Sequence, residues 1–112
     1  PDGLKAGAGA MIAAIITAAG REPDMVIGKP EPGLMREAAA VAGAPVEEAV
    51  VIGDGLVTDI AAANAVGARS VLVLTGVSTA EQAADLPEGQ RPTVIVDGPG
   101  DLGAALDRLA AV

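Results

Sequence analysis

Apolar positions in this chain fall into short blocks separated by glycine, proline and acidic residues. Ala10–Ala19 is an apolar, Ala- and Ile-rich block closed by Gly20, which predicts a helix with glycine just past its end. Gly-rich Pro1–Gly9 before it predicts a loop. Asp24–Ile27 predicts a short strand broken by Gly28-Lys29-Pro30. Pro32 suits a first helical turn, and Gly33–Ala42 predicts a helix stopped by Gly43. Ala49–Ile52 reads A-V-V-I, an uninterrupted run expected of a strand buried on both faces. Gly53–Thr58 then predicts a turn and Asp59–Val66 a helix ending at Gly67. Ser70–Leu74 and Thr93–Val96 predict two more buried strands. Between them, Ser78–Ala84 predicts a short helix with Ser78 and Thr79 as caps. Leu102–Ala111 closes the chain as a helix, with Asp101 as its expected N-cap.

Strands alternating with helices predict an α/β fold, a Rossmann-like, mainly parallel sheet flanked by helices. Three or four strands are few for a doubly wound sheet. No internal repeat or linker divides the 112 residues, so one domain is expected.

Composition narrows the chemistry. Seven basic against fifteen acidic residues give a net charge of −8, which argues against nucleic acid or an anionic membrane surface as partner. Cys and His are both absent. Disulfides, thiolate zinc sites, thiol nucleophiles and histidine bases are thereby excluded. A bound metal would have to be a hard, oxygen-seeking cation such as Mg²⁺. Phe, Tyr and Trp are absent too, which removes stacking platforms and aromatic cages. No apolar run approaches the ~20 residues of a membrane span, and Ala10–Ala19 lacks a signal peptide's flanks. A cytoplasmic location is expected. The first residue is Pro1, a hint that something upstream has been removed.

In open α/β sheets function collects at the carboxyl ends of strands. Two places answer. In Val51-Ile52-Gly53-Asp54-Gly55-Leu56-Val57-Thr58-Asp59, one acid is delivered at a strand tip and a second five residues later in the next helix's first turn. Two carboxylates brought together there repel by about 1–3 kcal/mol at ~5 Å, which a divalent cation or a lysine reverses. The plainer alternative makes Asp54 a turn residue and Asp59 an acid favoured by the helix dipole. In Gly28-Lys29-Pro30-Glu31-Pro32, a lysine sits in a constrained turn just before a helix; alone it reads equally as a solvated surface lysine. Lys5 and Lys29 are the chain's two lysines, so the joint pattern with the G-D-x-x-x-x-D turn is much rarer than either half. The loop Leu74-Thr75-Gly76-Val77-Ser78 could line a site or simply turn the chain. Gly7-Ala8-Gly9 is no dinucleotide fingerprint, since it follows no strand and Ile12 replaces the third glycine.

G-K-P-x-P (Gly28–Pro32), V-I-G-D-x-x-x-T-D-I (Val51–Ile60) and L-V-L-T-G-V-S (Leu72–Ser78), in this order, resemble the haloacid-dehalogenase-like (HAD) hydrolase superfamily. The resemblance is to the subgroup with a large cap between the second and third motifs. That subgroup includes p-nitrophenylphosphatase-like, phosphoglycolate, glycerol-phosphate and nucleotide-monophosphatase-like proteins. It implies a Mg²⁺-dependent phosphatase acting on a small phosphorylated metabolite. Lys29 would be the third-motif lysine, Asp54 the Mg²⁺ ligand, and Asp59 the second acid, on the metal through water or holding Lys29. Thr58 and Asn64 receive no role. Phosphoryl transfer is mostly positioning and charge neutralisation, which a metal and a lysine supply without His or Cys.

The departure is at the start. Family members open with a strand ending in D-x-D, whose first Asp is the nucleophile and second the general acid, followed by a Ser/Thr motif. Before Arg21 the one acid is Asp2. Residues 1–112 are therefore expected to be the C-terminal part of a HAD core, with the nucleophile strand and cap absent. The chain alone would be inactive, and the strand Ala49–Ile52 would keep an unpaired edge that a second copy or the missing N-terminal half would cover. Two alternatives are a non-catalytic module that binds Mg²⁺ or a phosphorylated ligand, and a chain with no activity of its own.

Overall fold

The computed structural model describes residues 6–111. The loop expected over Pro1–Gly9, and Asp2 within it, lie outside the described residues as far as residue 5. The helix α1 (Ala8–Ala19) starts two residues before its expected position and ends at Gly20, whose φ of 68° is the left-handed conformation that glycine adopts without strain. The helix α2 (Gly33–Ala42) matches its expected bounds, with Gly43 closing it at φ 70°.

Three parallel strands follow, in spatial order β1 (Val50–Gly53), β2 (Arg69–Val73) and β3 (Val94–Val96). The register pairs Ile52 with Val71 and Leu72 with Ile95. The crossover from β1 to β2 is a wide helical turn, Leu56–Ile60, that runs directly into α3 (Ala61–Ala65). That from β2 to β3 carries α4 (Ala80–Ala84), and the chain ends in α5 (Leu102–Ala110). The Rossmann-like α/β reading holds. At the start of β2 and just before β3, Ser70 N–H donates to Thr93 Oγ1 (2.9 Å) and Thr93 N–H to Ser70 Oγ (3.3 Å), which pins their register.

The side-chain period of two places β2 residues on opposite faces. Val71 and Val73 pack with Val96 against Ala105 and Leu109 of α5. Leu72 packs on the other face with Leu56, Ile60 and Ala83. A third cluster, Ala63, Val66 and Ala68, takes Met35 and Val51. β2 is thus the buried centre. The full burial expected for the other two strands is not observed. Ile52 is 43 % exposed, although Val50 on the same face of β1 packs against the cluster that α5 closes, and Ile95 is 40 % exposed on the face where α4 covers β2.

Three further expectations are corrected. Asp24–Ile27 forms no strand. A strand is defined by its ladder, no described strand lies beside this segment, and Val26 and Ile27 are about half exposed. Asp101 stands at the N-cap of α5 but its side chain makes no capping bond, because a 3₁₀ turn, Pro99–Asp101, already leads into the helix with Asp101 in a helical conformation. Thr79 alone caps α4, in a reciprocal capping box with Gln82. Ser78 is turned elsewhere.

No helix among the described residues is long and apolar enough to cross a membrane.

Candidate functional site

The carboxyl end of β1 is Gly53, followed by Asp54 and Gly55. From Gly55 the chain winds into the wide turn, where Asp59 N–H and Ile60 N–H both donate to Gly55 O (2.9 and 3.1 Å). That winding folds Asp59 back under the strand tip. Its carboxylate is buried, and Oδ2 accepts from Gly55 N–H (3.0 Å) and from Thr58 Oγ1 (3.3 Å). Oδ1 faces Lys29 Nζ at 2.5 Å.

Lys29 arrives from the other side. The turn around it is fixed by Glu31 N–H donating to Gly28 O (3.1 Å), and Leu34 N–H at the start of α2 holds Ile27 O (3.0 Å). Its side chain remains 40 % exposed, while the Asp59 side chain it meets is 9 % exposed. Among the described residues, one of its three N–H donors is used, on Asp59. Burial by itself would raise the pKa of Asp59. The hydrogen bonds from Lys29 and Gly55, the charge of Lys29 and the Thr58 hydroxyl outweigh it and hold the carboxyl below its ordinary value.

Asp54 is oriented by a different neighbour. Its Oδ2 accepts from Val77 N–H (3.1 Å), and its backbone carbonyl accepts from Ser78 N–H (3.1 Å). Among the described residues no protein group donates to Oδ1. Lys29 and Asp59 are thus brought into direct contact, while Asp54 stands beside them, half-buried, at the same strand end.

Three glycines that sequence reasoning passed over make this packing achievable. A Cβ on Gly53 would lie 2.3 Å from Asp59 Cβ and Cγ. One on Gly55 would lie 2.2 Å from Thr58 Oγ1, and one on Gly76 1.9 Å from Asp54 Oδ2. The available signal was the G-D-G sequence itself: glycine on both sides of an acid at a strand tip marks close approach. Thr58, left without a role, bonds Asp59; Asn64 serves structure, donating from Nδ2 to Gln90 O at 2.9 Å.

The donor set is all oxygen. No cluster of three or more acids gathers among the described residues, so a caged metal does not fit. Mg²⁺ does, because it is commonly held by one or two carboxylates and completes its octahedron with water and substrate phosphate. The uncommitted Oδ1 of Asp54 suits it.

Known proteins resemble this chain over most of its length. The model of the HAD-hydrolase-like family matches residues 26–102, more than half of the chain. The D-glycerol 3-phosphate phosphatase of Mycobacterium tuberculosis is 50 % identical over 93 residues, covering 83 % of this chain and 26 % of that protein. A p-nitrophenyl phosphatase from Archaeoglobus fulgidus superposes with a TM-score of 0.70 at 39 % identity, over 86 % of this chain and 38 % of that one. The glycerol phosphate phosphatase of M. tuberculosis in complex with magnesium superposes with a TM-score of 0.67 at 48 % identity, over 80 % of this chain and 26 % of that one. The chain spans between about a quarter and two fifths of the curated relatives it matches first, 26 %, 38 % and 31 % of their lengths.

Proposed function

The chain belongs to the HAD-like hydrolases, in the group of the p-nitrophenyl and glycerol phosphate phosphatases, and we propose that it supplies the lysine- and metal-binding part of the core of a Mg²⁺-dependent phosphate monoester hydrolase. The observation that carries this is the Lys29–Asp59 ion pair, 2.5 Å long, set beside Asp54 at the carboxyl end of β1.

In this reading Lys29 neutralises the transferring phosphoryl group with the donors it does not spend on Asp59. Asp59 keeps that lysine aimed, and supports the metal through water. Asp54 is the direct Mg²⁺ ligand through Oδ1, with Oδ2 held by Val77 N–H. The cation, when bound, supplies charge neutralisation and orients the phosphate. The nucleophilic carboxylate comes from outside residues 1–112, delivered beside the outer edge of β1, because the sequence has no D-x-D pair upstream of Lys29. The substrate is a small phosphorylated metabolite, hydrolysed in the cytoplasm.

The test is Mg²⁺-dependent hydrolysis of p-nitrophenyl phosphate by the complete protein. Asp54→Asn should raise the Mg²⁺ concentration needed for half-maximal rate by about tenfold or more, and Lys29→Met should lower kcat by about 10²-fold. Unchanged Mg²⁺ dependence in Asp54→Asn contradicts the assignment. A second reading, a module that binds Mg²⁺ and a phosphorylated ligand without turnover, is favoured by the missing D-x-D strand. It is distinguished by phosphate binding in the absence of any hydrolysis.

A further inference from the structure

The loop after β2 touches the turn after β1 at three points, two on Asp54 and one on Leu56. Val77 N–H donates to Asp54 Oδ2 (3.1 Å), Ser78 N–H donates to Asp54 O (3.1 Å), and Leu56 N–H donates to Ser78 Oγ (3.0 Å). Ser78 is buried, at 9 % exposure, so its hydroxyl is held in place and water does not compete freely for Leu56 N–H. Gly76 lies against the same carboxylate, close enough that a Cβ would reach 2.3 Å from Asp54 Cβ. The two ends of the Asp54–Leu56 stretch are therefore gripped by one residue, Ser78, through its backbone and its side chain. The cap of α4 is made by Thr79, which leaves the Ser78 hydroxyl for this contact.

We propose that Ser78 is a positioning residue for metal binding: its hydroxyl locks the Asp54–Leu56 turn so that Asp54 Oδ1 is presented in the geometry Mg²⁺ demands. This rests on the reading of Asp54 as metal ligand. Mg²⁺ requires near-ideal octahedral ligands at short distances, whereas Ca²⁺ accepts irregular ones. A loosened turn should therefore weaken Mg²⁺ more than Ca²⁺, an asymmetry that loss of stability alone does not produce.

The experiment is calorimetric titration of the complete protein with Mg²⁺ and with Ca²⁺, together with the thermal midpoint in EDTA. Ser78→Ala should raise the Mg²⁺ Kd by about tenfold, the lower end of what outer-sphere substitutions cost, and the Ca²⁺ Kd by less than about threefold. Ser78→Thr, which keeps the acceptor, should bind Mg²⁺ within about threefold of the parent. Gly76→Ala leaves the hydroxyl in place but displaces Asp54, and should also weaken Mg²⁺ by about tenfold. A folded Ser78→Ala protein with Mg²⁺ affinity within about twofold of the parent overturns the proposal. So does equal weakening of both cations alongside a lowered midpoint in EDTA. If Ser78→Ala does not fold, Ser78→Thr and Gly76→Ala decide: parent-like Mg²⁺ binding by Gly76→Ala, or a Ser78→Thr protein as weak as Gly76→Ala, overturns it. Asp54→Asn separates the two failures. If it leaves Mg²⁺ affinity intact, the ligand assignment is wrong; if it abolishes binding while Ser78→Ala does not, only the role of Ser78 is wrong.

Discussion

Ile15 and Ile60 carry the same side chain and both sit in Ala/Ile-rich helical stretches. Ile15 is 67 % exposed, and Ile60 is fully buried. The difference divides the molecule. From Val46 onward, β1, β2 and β3 with their helices close three apolar clusters around one another. Before Lys29, α1 has no charged residue and no buried residue, and Met25, Val26 and Ile27 are exposed with it. A helix apolar on all sides belongs in an interior. The radius of gyration, 15.7 Å, also exceeds the roughly 13 Å expected of a compact chain of this size. The lesson is that apolar sequence states a demand for cover without supplying it. The later region meets the demand from within. In the proposed reading the earlier one meets it from chain beyond these residues, and Lys29 is its polar link to the later region through Asp59.

The contrast is sharpest in stability. Ile60→Ala should cost about 3–4 kcal/mol, as core truncations do, and Ile15→Ala less than about 0.5 kcal/mol. Chemical denaturation of both variants checks this; a comparable loss at Ile15 would mean that α1 is buried in solution, for example by self-association. Gly53→Ala should cost about 2–3 kcal/mol, since its Cβ would overlap Asp59 Cβ and Cγ, atoms close to the backbone that cannot swing away. Wild-type stability there would show that the strand tip is looser than its packing indicates.

A smaller effect probes the link between the regions. Asp59→Asn should cost about 1–2 kcal/mol at pH 7, discounted for the exposure of Lys29. The sign with pH follows from a carboxyl whose folded pKa lies below its ordinary value of 3.8. The stability it contributes is fully present above about pH 4 and is lost as pH falls through the lower folded value. The parent should therefore lose stability below pH 4 more steeply than Asp59→Asn. Parallel acid curves would contradict the pairing.

Much of this organisation was legible in the sequence for local reasons. Gly43 stops α2 and Gly20 stops α1 because helix ends select glycine. The three strands stand within one residue of their expected positions because their apolar runs are short and cleanly bounded. Lys29 and Asp59 were legible as a pair from their two turns, and the structure brings them into contact, with Asp54 just past the end of β1. What was not legible depended on partners distant in sequence. Asp24–Ile27 has a strand's composition but, among the described residues, no neighbour to pair with. Ile52 and Ile95 look buried until the reach of α5 and α4 is known. Ser78 reads as a helix cap until Leu56, twenty-two residues earlier, is found donating to it.

The division between the two regions is tested most directly by purifying residues 1–112 alone and assaying p-nitrophenyl phosphate hydrolysis with Mg²⁺, with size-exclusion chromatography in parallel. In the proposed reading Lys29 and Asp54 position and neutralise a phosphate but do not replace a nucleophile, since a carboxylate committed to a metal is held away from in-line attack. The expected result is no turnover above the buffer rate, from a chain that self-associates through its uncovered apolar surface and the free edge of β1. Metal-dependent turnover by a stable monomer, abolished by Asp54→Asn, would contradict it.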